Sequence, residues 1–420
     1  MRRMQTWRWV PAAVLLAMGG MAGVTAGRAD DLRISSWDAR SNLMFRTADT
    51  SCANHHYRVE CATSLVSAAW STVRTVGGVG AGTCVTNGVP MDTDSIFYRV
   101  VATSNSNAFV DGAYMAVDIS GGTNATSYPV TYYRTMADVP GGVNIDAYKT
   151  TIILMRLISN GTFTMGFRST DYPGTRNDLH QVTLTKDFYI GVFEVTQRQW
   201  ELVMGKKPSN FNNATCYQMR PVEKVSYYEI RENPNNSAIS PNWPATNTVH
   251  ADSFMGKLRA KTGLTGFDLP TESQWEYACR AGTTTALNSG QNLTNTSSDT
   301  RMDAVGRYRY NGGYVGGMTV PAQDCTTANG TAVAGSYLAN AWGLYDMHGN
   351  VWELCLDQYG NYPGTVTDPK GTASGIGRVV RGGGWAYTSE YCRSAYRDGR
   401  DADYRFIYNG FQACCVPTGP

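Results

Sequence analysis

Phe267-Asp-Leu-Pro-Thr-Glu-Ser-Gln-Trp-Glu-Tyr-Ala-Cys-Arg-Ala-Gly282 carries the local signals that decide the fold class. Thr271 and Gln274 fit a capping box, in which hydroxyl and amide satisfy the free backbone N–H groups at a helix start. Trp275, Ala278 and Cys279 follow at helical spacing, and Gly282 is the stop. The same signals recur upstream. Thr196-Gln-Arg-Gln199 opens a helix carrying Trp200, Val203 and Met204 and ending at Gly205, and Ser226-Tyr-Tyr-Glu229 opens another. A further helix is expected over about 252–261, before Gly263. Beyond about residue 283 the chain turns to short strands and Gly-Asn loops. The expectation is an α+β domain, a core framed by a few short helices with a long irregular half.

The bulk composition agrees. The chain has 420 residues, enough for two domains, and only 17% of them are charged, with 44 glycines. Such a chain favours loops and strands over a helical bundle. A net charge of +2 gives no reason to expect nucleic acid or an acidic membrane as partner.

The N-terminus reads as an export signal over residues 1–29. Arg2, Arg3 and Arg8 precede an apolar run from Val10 to Val24, and Gly27 and Ala29 form a small-x-small cleavage pattern before Asp30. That run is about 15 residues, short of the roughly 20 needed to span a bilayer. Nothing later approaches that length, so no membrane span is expected after removal. The implied location is periplasmic, secreted or cell-surface, where the ten cysteines could form disulfides. No C-x-x-C pair suggests zinc.

Residues 33–104 read as a small all-β sandwich. Tyr57 to Thr63 and Ser95 to Val101 alternate apolar and polar residues, and Gly77 to Gly82 reads as a hairpin turn. The segment weakly resembles a fibronectin-type-III module, which implies contacts rather than chemistry. Residues 105–149, rich in Gly, Asn, Ser and Thr, read as a connector with possible strands at Tyr114 to Ile119 and Tyr128 to Tyr133.

From residue 150 to 417 a series of motifs follows in order. They are Phe163-Thr-Met-Gly166, Phe188-Tyr-Ile-Gly-Val-Phe-Glu-Val-Thr196, Arg220-Pro-Val-Glu-Lys-Val-Ser226 and the 267–282 stretch above. Gly343-Leu-Tyr-Asp-Met-His-Gly-Asn-Val-Trp-Glu353, Arg378-Val-Val-Arg-Gly-Gly-Gly-Trp385 and Asn409-Gly-Phe411 complete the series. Together they resemble the formylglycine-generating-enzyme (sulfatase-modifying factor) family. The resemblance implies an irregular, C-type-lectin-like fold.

It also implies sites. Calcium takes six to eight hard oxygens, and a Gly-Asn turn can aim main-chain oxygens inward. The family's structural calcium maps to Asp346 and Glu353 by side chain and to Gly349 and Val351 by backbone. His348, in the same motif, is expected to be a partly exposed loop histidine. A disulfide from Cys279 to Cys415 is implied, with Cys414 as the rival partner on the opposite strand face. Active members hold copper(I) between two cysteines five residues apart and oxidise a substrate cysteine to formylglycine. Here Cys392 matches the second cysteine, but Tyr387 occupies the first position. Copper(I) prefers soft thiolates, and a phenol with a pKa near 10 is a poor substitute. Cys392 is thus the catalytic candidate only under an oxidase reading. The rival reading is recognition.

Trp385, Tyr387, Tyr391, Arg393, Arg397 and Tyr404 are residue types enriched at binding hot spots. The positions resemble the variable region of diversity-generating-retroelement target proteins, with a Cys-Arg-Ser-Ala-x-Arg framework at Cys392 to Arg397. On this reading they meet a protein or carbohydrate ligand around one concavity. Core packing would instead bury them.

Overall fold

The structure is a computed structural model. It describes residues 112–417, apart from 170, 172–177, 213–215, 239–240, 313–329, 373–374 and 376, together with the backbone of six strands before residue 104. The export signal and the Gly77–Gly82 turn lie outside the described residues.

The chain divides into two units, residues 1–111 with 419–420, and 112–418. In the first, strands Leu32–Trp37, Asn42–Thr47 and Val89–Pro90 form one antiparallel sheet. His56–Ala62, Ser71–Val76 and Phe97–Thr103 form another, with His56–Ala62 in the centre.

The second unit is built on a six-stranded sheet. Its spatial order is Phe267–Asp268, Cys414–Cys415, Phe188–Gly191, Ile152–Ile158, Tyr114–Asp118, Val130–Tyr133. The connector reading of 105–149 is therefore corrected from Gly112 onward. Tyr114–Asp118 pairs along its whole length with Ile152–Ile158, and Tyr114, Met115 and Val117 are core residues. The possible strands read there form as Tyr114–Asp118 and Val130–Tyr133, and they belong to this sheet rather than to a separate connector.

The capping boxes form as read. Thr196, Ser226 and Thr271 each accept the backbone N–H three residues on, starting helices Gln197–Met204, Tyr227–Ile230 and Glu272–Arg280. The helix expected over about 252–261 is Phe254–Thr262, capped by Ser253 and ended by Gly263 in the left-handed region. Helix Glu272–Arg280 ends at Ala281, which takes a left-handed φ of 44°, one residue before the glycine expected to stop it.

A second, four-stranded sheet, in the order Arg397–Arg400, Arg378–Arg381, Trp352–Gln358, Asn409–Gly410, carries the motifs of the irregular half. Trp275 and Cys279 from helix Glu272–Arg280 share an apolar cluster with Leu344, Met347 and Val379. The helix is thereby packed beneath the loop that leads into this sheet. Among the described residues no helix is long and apolar enough to cross a membrane.

Candidate functional site

The loop Asp346 to Glu353 curls tightly because Asp346, Gly349 and Asn350 all have positive φ. Gly349 is required there, since a Cβ would lie 1.9 Å from the Arg307 carbonyl oxygen. Asp346 and Glu353 are fully buried. One oxygen of each is used: Asp346 Oδ2 accepts the Gly335 N–H at 2.6 Å and Glu353 Oε2 accepts the Trp275 indole N–H at 2.9 Å. The other oxygen of each, Asp346 Oδ1 and Glu353 Oε1, has no hydrogen-bond partner.

A third buried carboxylate, Glu194, supports the loop from the Phe188–Thr196 motif. Its oxygens accept the Asn350 side-chain N–H at 2.6 Å and the Val351 backbone N–H at 3.0 Å. Burial raises the pKa of all three acids, that of Asp346 to about 6, and the Asp346 charge pushes Glu194 and Glu353 further up. Two buried carboxylate oxygens without donors, on acids close enough that the Asp346 charge acts on Glu353, fit a hard cation such as calcium. Among the described residues no three His, Cys, Asp or Glu side chains form a metal cage. The donors here are two carboxylates and neutral oxygens. The sequence reading missed Glu194, whose position 156 residues before Asn350 gives no local hint of the contact.

His348 differs from expectation. It is fully buried, its Nε2 accepts the Asn288 N–H at 3.0 Å, and its Nδ1–H therefore donates to the Cys392 carbonyl at 2.7 Å. Burial lowers its pKa to about 4, so the ring is neutral. Both ring nitrogens are satisfied inside the protein, which is why it avoids the surface.

Cys392 is buried in an apolar cluster with Leu287, Met302, Val305 and Tyr308. Burial pushes its thiol up to about 12, so it is protonated at neutral pH. The Tyr387 ring meets Trp352, Tyr391 and Tyr408 edge-on at 5.3, 5.5 and 5.0 Å, and its hydroxyl accepts from Arg400 at 3.5 Å. One buried thiol and a phenol held in an aromatic cluster do not fit copper(I).

A cavity of about 390 Å³ opens beside them, walled by Arg309, Trp385, Tyr387, Tyr391, Phe406 and Tyr408. Trp385 is its rigid side. The indole is buried, donates to the Ile407 carbonyl at 3.0 Å and packs edge-on against Phe211. Tyr387 and Tyr391 are half-buried. Tyr404, also half-buried, does not line the cavity; it supports the wall by stacking on Phe406 and bonding the Tyr408 hydroxyl at 3.1 Å.

Two residues read as ligand contacts are placed elsewhere. Arg393 is buried over the Phe167 ring and donates to the Glu390 carbonyl. Arg397 lies between the Tyr359 and Tyr362 rings and grips both oxygens of Glu272 at 2.6 Å. Both guanidiniums are turned into the domain rather than toward the cavity, although Arg393 Nη1 is left without a hydrogen-bond partner there. Arg309 was missed because it lies far upstream of the aromatic segment.

The Cys279–Cys415 disulfide is not formed. Cys279, Cys355, Cys392, Cys414 and Cys415 are all free and buried, whereas Cys216 is disulfide-bonded. Cys414, not Cys415, shares the apolar cluster of Cys279. Strand alternation does separate the two neighbours, but it turns Cys415 away from Cys279.

Residues 145–415 match the family described as Sulfatase-modifying factor enzyme 1-like domain. Among known proteins, the chain is 34% identical over 236 residues to "Chaperone protein LppX" of Paenibacillus barcinonensis, covering 53% of this chain and 77% of that protein. It is 31% identical over 205 residues to a formylglycine-generating enzyme of Thermomonospora curvata, covering 46% of this chain and 62% of that one. Among solved structures, Treponema denticola variable protein 1 matches with 28% identity over 66% of this chain and 97% of its own, at a TM-score of 0.46.

Proposed function

The chain belongs to the sulfatase-modifying factor enzyme 1-like family, and from that premise we propose that it uses the family scaffold for recognition rather than for cysteine oxidation. One observation carries the proposal. The aromatic cavity includes Tyr387, whereas the one matching thiol, Cys392, is protonated in an apolar cluster and does not line that cavity. A pocket of flat aromatic faces with hydroxyls at their edges suits a sugar ring or a peptide side chain. On this proposal the protein is exported, the signal at residues 1–29 is removed, and the first unit is a fibronectin-III-like contact module.

Calcium is proposed to be held by Asp346 and Glu353 with the Gly349 and Val351 carbonyls. It would give the unpaired oxygens a direct partner, adding to the charge that buried Lys149 already brings near Asp346, and Glu194 would hold the loop backbone in shape around them.

The alternative is a copper-dependent oxidase. Incubating the purified protein with copper and a cysteine-containing sulfatase peptide separates the two. The recognition reading expects the peptide mass unchanged. Conversion of the cysteine to an aldehyde with loss of sulfur would establish the oxidase and end the recognition proposal. Positive evidence would come from glycan and peptide arrays, where Tyr391→Ala and Tyr408→Ala should each reduce any binding at least tenfold.

A further inference from the structure

Phe411 to Cys415 runs beside the strand Phe188–Gly191 and the segment after it that carries Glu194. The Val195 N–H donates to the Phe411 carbonyl at 3.0 Å, and the Gly191 N–H donates to the Ala413 carbonyl at 2.8 Å. Gln412 lies between these two bonds and is fully buried. Its backbone N–H lies against the Glu353 carboxylate. Its side-chain N–H donates to the carbonyl of Tyr345, the residue before Asp346, at 3.4 Å. A carbonyl can only accept, so the amide must present nitrogen to Tyr345 and its oxygen elsewhere. That oxygen, Oε1, has no partner.

Three buried oxygens without donors therefore belong to residues tied to one another: Asp346 Oδ1, Glu353 Oε1 and Gln412 Oε1. Orphaned acceptors are costly when buried, and a cation would satisfy all three at once. We propose that Gln412 is a further ligand of the cation site, its amide oxygen joining the carboxylates of Asp346 and Glu353. This rests on the calcium reading above. Amide oxygens are ordinary calcium donors, and a neutral one adds coordination without adding to the like-charge repulsion of the two acids.

Calorimetric titration of the full chain with calcium chloride tests it, comparing wild type with Gln412→Leu and Gln412→Glu. Leucine should weaken calcium binding about tenfold and glutamate should strengthen it. Terbium luminescence decay in H2O and D2O should report about one additional bound water in the leucine variant, filling the vacated position. Melting in EDTA separates ligation from packing. A ligand role leaves the leucine variant as stable as wild type without calcium and shrinks only the calcium-dependent gain. Equal affinity and hydration in wild type and leucine variant would mean that water satisfies Gln412, which overturns this proposal and leaves calcium standing. Absence of calcium uptake by wild type would overturn the calcium reading and this inference with it.

Discussion

The loop from Asp346 to Glu353 and the segment from Trp385 to Tyr408 are laced together, yet they treat their polar groups in opposite ways. The Gly349 N–H donates to Gly382, the Trp385 N–H to Asn350 and the Trp352 N–H to Tyr408. His348 adds a side-chain link to Cys392. On the loop side, carboxylates are fully buried and keep oxygens without donors. On the segment side, the cavity tyrosines are half-exposed, the Tyr387 hydroxyl accepts from Arg400 and that of Tyr408 meets the Tyr404 hydroxyl. Buried oxygens without donors are costly and would be relieved by a cation, whereas a half-open aromatic wall leaves its edges to solvent and needs no such partner. On the recognition proposal, the buried loop would hold the scaffold in shape and the half-open wall would be what a ligand meets.

The sharpest way to probe that contrast lies inside the segment itself, where two arginines look alike in sequence. Arg397→Ala takes from the buried Glu272 carboxylate its bidentate partner, leaving only Arg381 at 3.3 Å, and should cost about 3 kcal/mol in urea unfolding. Arg405, half-exposed and paired with Glu229 at 3.1 Å, should cost below about 1 kcal/mol when replaced by alanine. Equal effects would mean that the segment has no division between core and surface.

Chelation probes the loop side. With calcium at about a hundredfold its Kd, EDTA should remove about 2.7 kcal/mol of stability. Melting should fall by several degrees, while the cavity variants Tyr391→Phe and Tyr408→Phe melt within about a degree of wild type in either buffer. A melting point indifferent to EDTA would erase the distinction between the two regions.

The third effect is pH-dependent and comes from behind the cavity. Glu223 is buried; it accepts the Phe211 N–H at 2.9 Å, and burial raises its pKa from 4.5 to about 8. A raised carboxylate pKa means the folded state holds the proton longer than the unfolded chain. Its contribution is therefore complete below about pH 4.5 and is lost as pH climbs to about 8. Glu223→Gln should match wild type near pH 4 and become progressively more stable than it, by a few kcal/mol at pH 9, read from urea midpoints. A constant difference across that range would show that the carboxyl titrates normally.

What the sequence made legible was local. Thr196, Ser226 and Thr271 announce their helices because a cap and its N3 partner are three residues apart, and the structure forms all three. The ordered motifs gave the α+β family fold for the same reason, as a string of short patterns. What stayed hidden was contact across the chain. Glu194 reaches Asn350, Gln412 reaches Tyr345 and Asn288 reaches His348, over separations no periodicity records. The face of a strand was readable at Cys414 and Cys415, but not which face looked at Cys279. Arg393 and Arg397 had the composition of a binding surface; only their partners reveal them as core.

The smallest expected effect is the most telling about chemistry. Tyr387→Cys restores both cysteines of the copper pattern in sequence, but the new thiol would stand on the cavity wall. Cys392 would remain among Leu287, Met302 and Tyr308, protonated up to about pH 12. Nor can the backbone easily shift to bring it over, since a Cβ at Gly383 would already lie 2.5 Å from the Cys392 sulfur. The variant should lose roughly 1 kcal/mol from its gap beside Trp352 and Tyr408 and gain little affinity for copper(I). Competition with a chromogenic copper(I) chelator measures this directly. Tight, stoichiometric uptake by the variant would show that Cys392 does reach the cavity, and that one substituted residue, not the packing around its partner, separates this protein from an oxidase.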